Sequence, residues 1–167
     1  MNEIENLVNR IERLREKDLI TDAEELIRNA LEKYEDSWEL WVQLGHILSR
    51  KQEYAEAAEA FMTASTLDPG KFWPWLYLGH AQRDLGDYDS AIQSTENALR
   101  IEIGKNERDM ANYNLACYYA LSGHKEEAMV YLKCALENNG PMKEWAREDT
   151  DLVSLKNEPG FEFLVEG

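Results

Sequence analysis

Two histidines and a cysteine are the first residues to test for chemistry. His46 and His80 stand 34 residues apart, and Cys117 follows 37 residues after His80. Imidazole and thiolate are common zinc ligands, and near-equal spacing suggests one ligand on each of three equivalent elements. Geometry argues against a shared ion. Packed helices sit ~8–10 Å apart, so the outer two of three neighbours are separated by about twice that. Zinc holds its nitrogen and sulfur ligands at ~2.0–2.3 Å. His46 and His80 are therefore expected to be hydrogen-bonding residues lining a groove, and no metal is expected. His124 follows Gly123 and is expected in a solvated turn.

No other constellation offers catalysis. There is no Gly-rich phosphate loop, no HExxH helix and no nucleophile elbow. The paired acids Glu24-Glu25 and Glu126-Glu127 fall at expected helix starts, where carboxylates oppose the positive end of the dipole. Cys117 and Cys134 are the only cysteines and have alanine and tyrosine neighbours, which suits small buried apolar groups rather than redox work. The expectation is a non-catalytic protein without a cofactor. Its 167 residues, 44% of them hydrophobic, are enough for a sizeable core. A net charge of -15 and a pI near 4.6 disfavour nucleic acid and anionic membrane surfaces. No apolar run approaches the ~18 residues that a bilayer span needs. Met1 to Arg15 lacks the apolar segment of a secretory signal. Two thiols at unremarkable spacing suit a reducing compartment, so the expected location is cytoplasmic.

The elements that must position these residues emerge from an internal repeat. At an offset of 34, Trp41 falls on Trp75, Leu44 on Leu78, Gly45 on Gly79, Tyr54 on Tyr88, Ala57 on Ala91 and Ala64 on Ala98. The order Trp41-x2-Leu44-Gly45-x2-Leu48, Ala57-x3-Phe61, Pro69 resembles the tetratricopeptide repeat. The cleanest repeat, 38–71, predicts helix A at about 38–50 and helix B at about 54–67, ended by Asp68-Pro69-Gly70. A degenerate repeat at about 4–37 precedes it, with Thr21-x-x-Glu24 reading as a capping box. The third, 72–105, lacks a closing proline, so its helix B is expected to run on towards Lys105. The fourth, about 109–142, arrives three residues late, and the insertion is placed between helices at Gly104 to Arg108. Past Asn138-Asn139-Gly140-Pro141 the period is lost. Short helices are predicted near 142–147, 151–156 and 158–165, forming a cap over 143–167.

The resemblance implies a single all-α domain, a right-handed α-α superhelix (solenoid) of about four TPR-like helix pairs with a C-terminal cap. Small residues at Gly45, Gly79, Ala57 and Ala91 let the paired helices approach, and the tryptophans Trp41 and Trp75 are expected in the core. In the family, helices A line the concave side. Projected onto that face, the second repeat presents Val42, His46, Ser49 and Arg50. The third presents Trp73, Leu76, Tyr77, His80 and Arg83, and the fourth Met110, Tyr113, Asn114 and Cys117. This line is far less acidic than the chain, and aromatic and Arg side chains are what binding surfaces concentrate. The implied function is binding of a protein or peptide partner in that groove. Two alternatives stand beside it: a groove filled by the chain's own C-terminal segment, and self-association into a homo-oligomer. The cationic clamp of chaperone-tail binders is absent, since its places hold Val8 or Val42, Glu12 or His46, Tyr77, Met110 and Asn114.

Overall fold

A computed structural model of the chain describes residues 3–137 and 139–166, so that Asn138 of the expected break lies outside them. Every regular element among the described residues is helical. The chain divides into two compact units, residues 1–85 and 86–167.

The first unit holds α1 (Glu3–Glu16), α2 (Ile20–Leu31), α3 (Trp38–Arg50), α4 (Tyr54–Leu67) and α5 (Phe72–Asp84). The limits expected for the second pair are the limits observed. Ser37 starts α3, its hydroxyl accepting from the Leu40 amide at 3.4 Å. Its core is built from Ile11, Ala23, Ile27, Leu40, Ile47, Phe61 and their neighbours. Gly45 lets α3 and α4 close. A Cβ there would lie 2.5 Å from Phe61 Cε1, and Phe61 is itself buried.

Each A helix turns into its B helix through one residue in the left-handed region. These are Asp18 (φ 60°), Gln52 (φ 64°), Gly86 (φ 78°) and Gly123 (φ 86°), spaced as the repeats are. Three of the corners show the amide-to-carbonyl closure of a Schellman turn: Leu19 N to Leu14 O at 2.9 Å, Glu53 N to Leu48 O at 2.9 Å, and His124 N to Tyr119 O at 2.8 Å. The first of these overrides the expected capping box. It brings the chain into α2 at Ile20, too early for Thr21 to cap, and no side chain caps that helix. Glu24 instead pairs with Arg28 at 2.7 Å and Lys51 at 2.9 Å.

Trp41 and Trp75 are half-buried rather than core residues. Each packs one face on the core and donates its indole N–H to the carbonyl six residues back. Trp41 reaches Glu35 O at 2.7 Å and Trp75 reaches Pro69 O at 3.2 Å. The amphipathic ring keeps its polar edge at the surface, where the loop before the helix needs a donor.

The second unit holds α6 (Tyr88–Leu99), α7 (Lys105–Leu121), α8 (Lys125–Leu136), α9 (Gly140–Glu148), a 3-10 turn (Val153–Leu155) and α10 (Phe161–Glu166). Its core gathers Ala91, Ala116, Tyr118, Ala128, Leu132, Leu152, Leu155 and Phe161. The expected run-on of α6 does not occur, and the helix stops at Leu99. The inserted residues extend α7 instead, to 17 residues against 13 in α3 and α5. Lys105 bridges Asp109 one turn on, and the buried Asp109 also accepts from the Asn139 side chain at 3.2 Å. Asn139 in turn caps α9 through the Met142 amide, so the extra turn of α7 is tied to the start of the terminal segment.

Candidate functional site

In the first unit, helices α1, α3 and α5 line a hollow of about 430 Å³. Its residues recur at steps of three and four, which places them on one face of each helix. Val8, Glu12 and Arg15 come from α1, Trp38, Glu39, Val42, Gln43 and His46 from α3, and Trp73 and Tyr77 from α5. One wall is aromatic. The Trp73 and Tyr77 rings stack at 5.7 Å, and His46 meets Tyr77 edge-on at 4.4 Å and Phe61 at 5.4 Å. Trp73 is 39% exposed, so its ring is open to a ligand. On the far side of His46 and Tyr77 a second cavity, about 250 Å³, is bounded by Ser49, Phe61, His80 and Arg83 among others.

Burial decides the charge states here. It lowers the His46 pKa to about 4, helped by the nearby positive charge of Arg15 and by His80, so His46 is neutral at pH 7. Burial likewise raises the Tyr77 phenol, against the opposing pull of Arg15. Arg15 donates to Gln43 Oε1 at 2.7 Å, and Gln43 passes its own N–H to Glu12 at 3.3 Å. Arg50 binds Asp18 at 3.0 Å and the Arg15 carbonyl at 3.2 Å, which holds it at the rim. Arg83 pairs with Asp84 at 3.2 Å.

The structure thus brings Val42, His46, Trp73 and Tyr77 together, with His80 and Arg83 in the adjoining cavity. Leu76 does not join them. It stands at the place equivalent to Val42, yet it is completely buried and gives a partner no surface. Sequence projection passed over Arg15, Trp38 and Gln43. A 34-residue shift of the second repeat onto α1 was the signal for Arg15, but the degenerate first repeat lacks the tryptophan and glycine that advertise the register.

In the second unit the A-helix face is partly taken by the chain itself. Tyr113 and Cys117 are both buried, and both aim at Asp149 just after α9. The Tyr113 hydroxyl donates to Asp149 Oδ2 at 2.8 Å, and the Cys117 thiol lies 3.8 Å from the same oxygen. Burial, followed by that carboxylate, drives the Tyr113 pKa far upward. Asp149 Oδ1 accepts from the Asp151 amide at 2.9 Å, and Ser154 Oγ donates to Ala120 O at 3.2 Å. Met110 and Asn114 remain more accessible on α7. Cys117, Asp149 and Asp151 place their ligand atoms within 4.8 Å of one another. The hydrogen bonds already made by Asp149 account for that clustering, which fastens the terminal segment to α7. Cys134 is exposed, contrary to its expected burial. His124 is exposed as expected, 3.0 Å from Ser122 Oγ. No helix among the described residues is long and apolar enough to cross a membrane.

A family model described as tetratricopeptide repeat matches residues 39–71, 75–102 and 111–140. Among curated proteins, Superkiller protein 3 of Schizosaccharomyces pombe is 30% identical over 61 residues, which make up 36% of this chain and 4% of that protein. The chain therefore spans only a small part of that relative. Among solved structures, a crystal structure of MamA has 24% identity and a TM-score of 0.74, covering 86% of this chain and 82% of the other. YrrB, described as a TPR protein with an unusual peptide-binding site, has 17% identity and a TM-score of 0.67, covering 95% and 88%. At these identities the likeness is one of fold, the α-α solenoid of tandem helix pairs.

Proposed function

The chain belongs to the tetratricopeptide-repeat family, whose model covers more than half of it, and from that premise we propose that it is a non-catalytic adaptor, scaffold or assembly factor holding a peptide or protein segment in the hollow of its first unit. The observation that carries this reading is the aromatic wall of Trp73, Tyr77 and His46 opening onto that hollow. Exposed aromatic anchors beside a cavity are what a partner's side chain docks against. Val42 supplies apolar area, while His80, Arg83 and Arg50 orient a segment at the edges. Residues 1–167 are read as one tandem domain, cytoplasmic, with repeats at about 4–37, 38–71, 72–105 and 109–142. Nucleic acid and membrane are not among its partners on this reading.

The test is crosslinking with mass spectrometry of cellular partners, wild type against Trp73→Ala. The partner set shrinks if the hollow is the binding surface, and equal recovery from both removes it. Self-association is the second reading, favoured by Trp145 and Phe163, which are 62% and 83% exposed on α9 and α10. Light scattering over a concentration series separates the two, since a monomer throughout leaves only the adaptor.

A further inference from the structure

The hollow of the first unit carries a charge pattern that selects among partners. Two carboxylates stand at it, Glu12 on α1 and Glu39 on α3. Glu39 accepts only a neutral hydroxyl, Ser37 Oγ at 3.0 Å, and Glu12 only the Gln43 amide at 3.3 Å, among the hydrogen bonds of the described residues. The one guanidinium of the lining, Arg15, donates to Gln43 and is offset by the nearby Glu12 carboxylate, which leaves Glu39 as the carboxylate with no cation facing it among these residues, and His46 is an uncharged ring at neutral pH. The rest of the lining is the aromatic side chains of Trp38, Trp73 and Tyr77 and the aliphatic Val8 and Val42. Aromatic faces with carboxylates at their edge favour a cation. One of these rings already carries such a contact within the chain, Lys71 Nζ standing 5.3 Å over Trp38, which leaves Trp73 and Tyr77 for a partner's cation. The net charge of -15 draws a basic segment in and repels an acidic one.

We infer that this hollow takes a Lys or Arg side chain of a basic partner segment, its cation over the Trp73–Tyr77 stack and within reach of Glu12 and Glu39. The inference rests on the peptide-binding reading above and adds the chemistry of the ligand. An acidic segment held by Arg15, a purely apolar helix and a second copy of the chain are the competing occupants.

The experiment is selection of a displayed library of random short peptides on the immobilised full chain, followed by fluorescence anisotropy of the enriched peptides. Four proteins are compared: wild type, Trp73→Ala, Glu12→Gln/Glu39→Gln, and a control of equal charge change, Glu25→Gln/Glu56→Gln, on the exposed faces of α2 and α4. Wild type is expected to enrich Lys or Arg beside an apolar residue. Replacing that Lys or Arg by Gln, or using the Glu12→Gln/Glu39→Gln protein, weakens binding about tenfold, while the control protein binds like wild type and Trp73→Ala loses the enrichment. Enrichment of acidic or wholly apolar peptides overturns the inference and leaves the peptide-binding reading standing. Equal weakening by both double variants also overturns it, because the effect is then one of distant charge alone. No enrichment of any sequence overturns the reading and the inference together.

Discussion

Gly45 and His46 are neighbours in sequence with opposite jobs in the same contact. Gly45 exists so that the Phe61 ring can lie against the backbone of α3. Alanine there gains up to about 1 kcal/mol of helix propensity but forces a packed ring to move, at about 1–3 kcal/mol. We expect Gly45→Ala to lower stability by about 1–2 kcal/mol, read from urea denaturation; a variant as stable as wild type shows that the ring has room to give. His46 ties the same ring to the hollow. Its pKa of about 4 in the fold lies below the ordinary value of 6.5, so protonation favours the unfolded chain. The stabilisation is complete above pH 6.5 and drains away as the pH falls towards 4, up to about 3 kcal/mol in all. His46→Gln should flatten the acid side of the stability profile, and an imidazole titrating near 6.5 by NMR would disprove the burial argument. Both residues were legible in the sequence because the repeat register places them. The Tyr113–Asp149 contact was not, because it joins a periodic helix to a segment that has no period.

At the level of elements, the helix limits of the second pair could be read directly, since Ser37 and Asp68-Pro69-Gly70 punctuate both ends. The long α7 could not. An insertion of three residues reads equally well as loop or as extra helix until Asp109 finds both Lys105 and Asn139. The capping box failed for a related reason: the corner at Asp18 sets where α2 begins, and motif spacing knows nothing of the corner. Those corners make their own prediction. Gln52 holds a φ of 64° that glycine adopts freely and other residues at a cost. Gln52→Gly should raise the midpoint of thermal unfolding, by about 1 kcal/mol of stability. Gly123→Ala should lower it by a similar amount. An unchanged midpoint in both variants would mean that the corner relaxes at no cost.

Across the molecule, charge is as consequential as packing. With a pI near 4.6 the chain loses the self-repulsion that keeps copies apart in the pH range where His46 begins to charge. Turbidity should therefore peak between about pH 4 and 5 and fall again in stronger acid; a clear solution throughout that range would show that solubility does not depend on net charge. Composition announced this property at once, while the place and lining of the hollow needed the first repeat's helix to be placed beside the second's. Recurrence has one more consequence. Because Asp18, Gln52, Gly86 and Gly123 all occupy the mirror half of backbone space, each is a position where the opposite enantiomer of an amino acid belongs by preference. A chain assembled by chemical ligation with D-alanine at these four corners would fold to the same array, its stereochemistry inverted at those α-carbons and nowhere else.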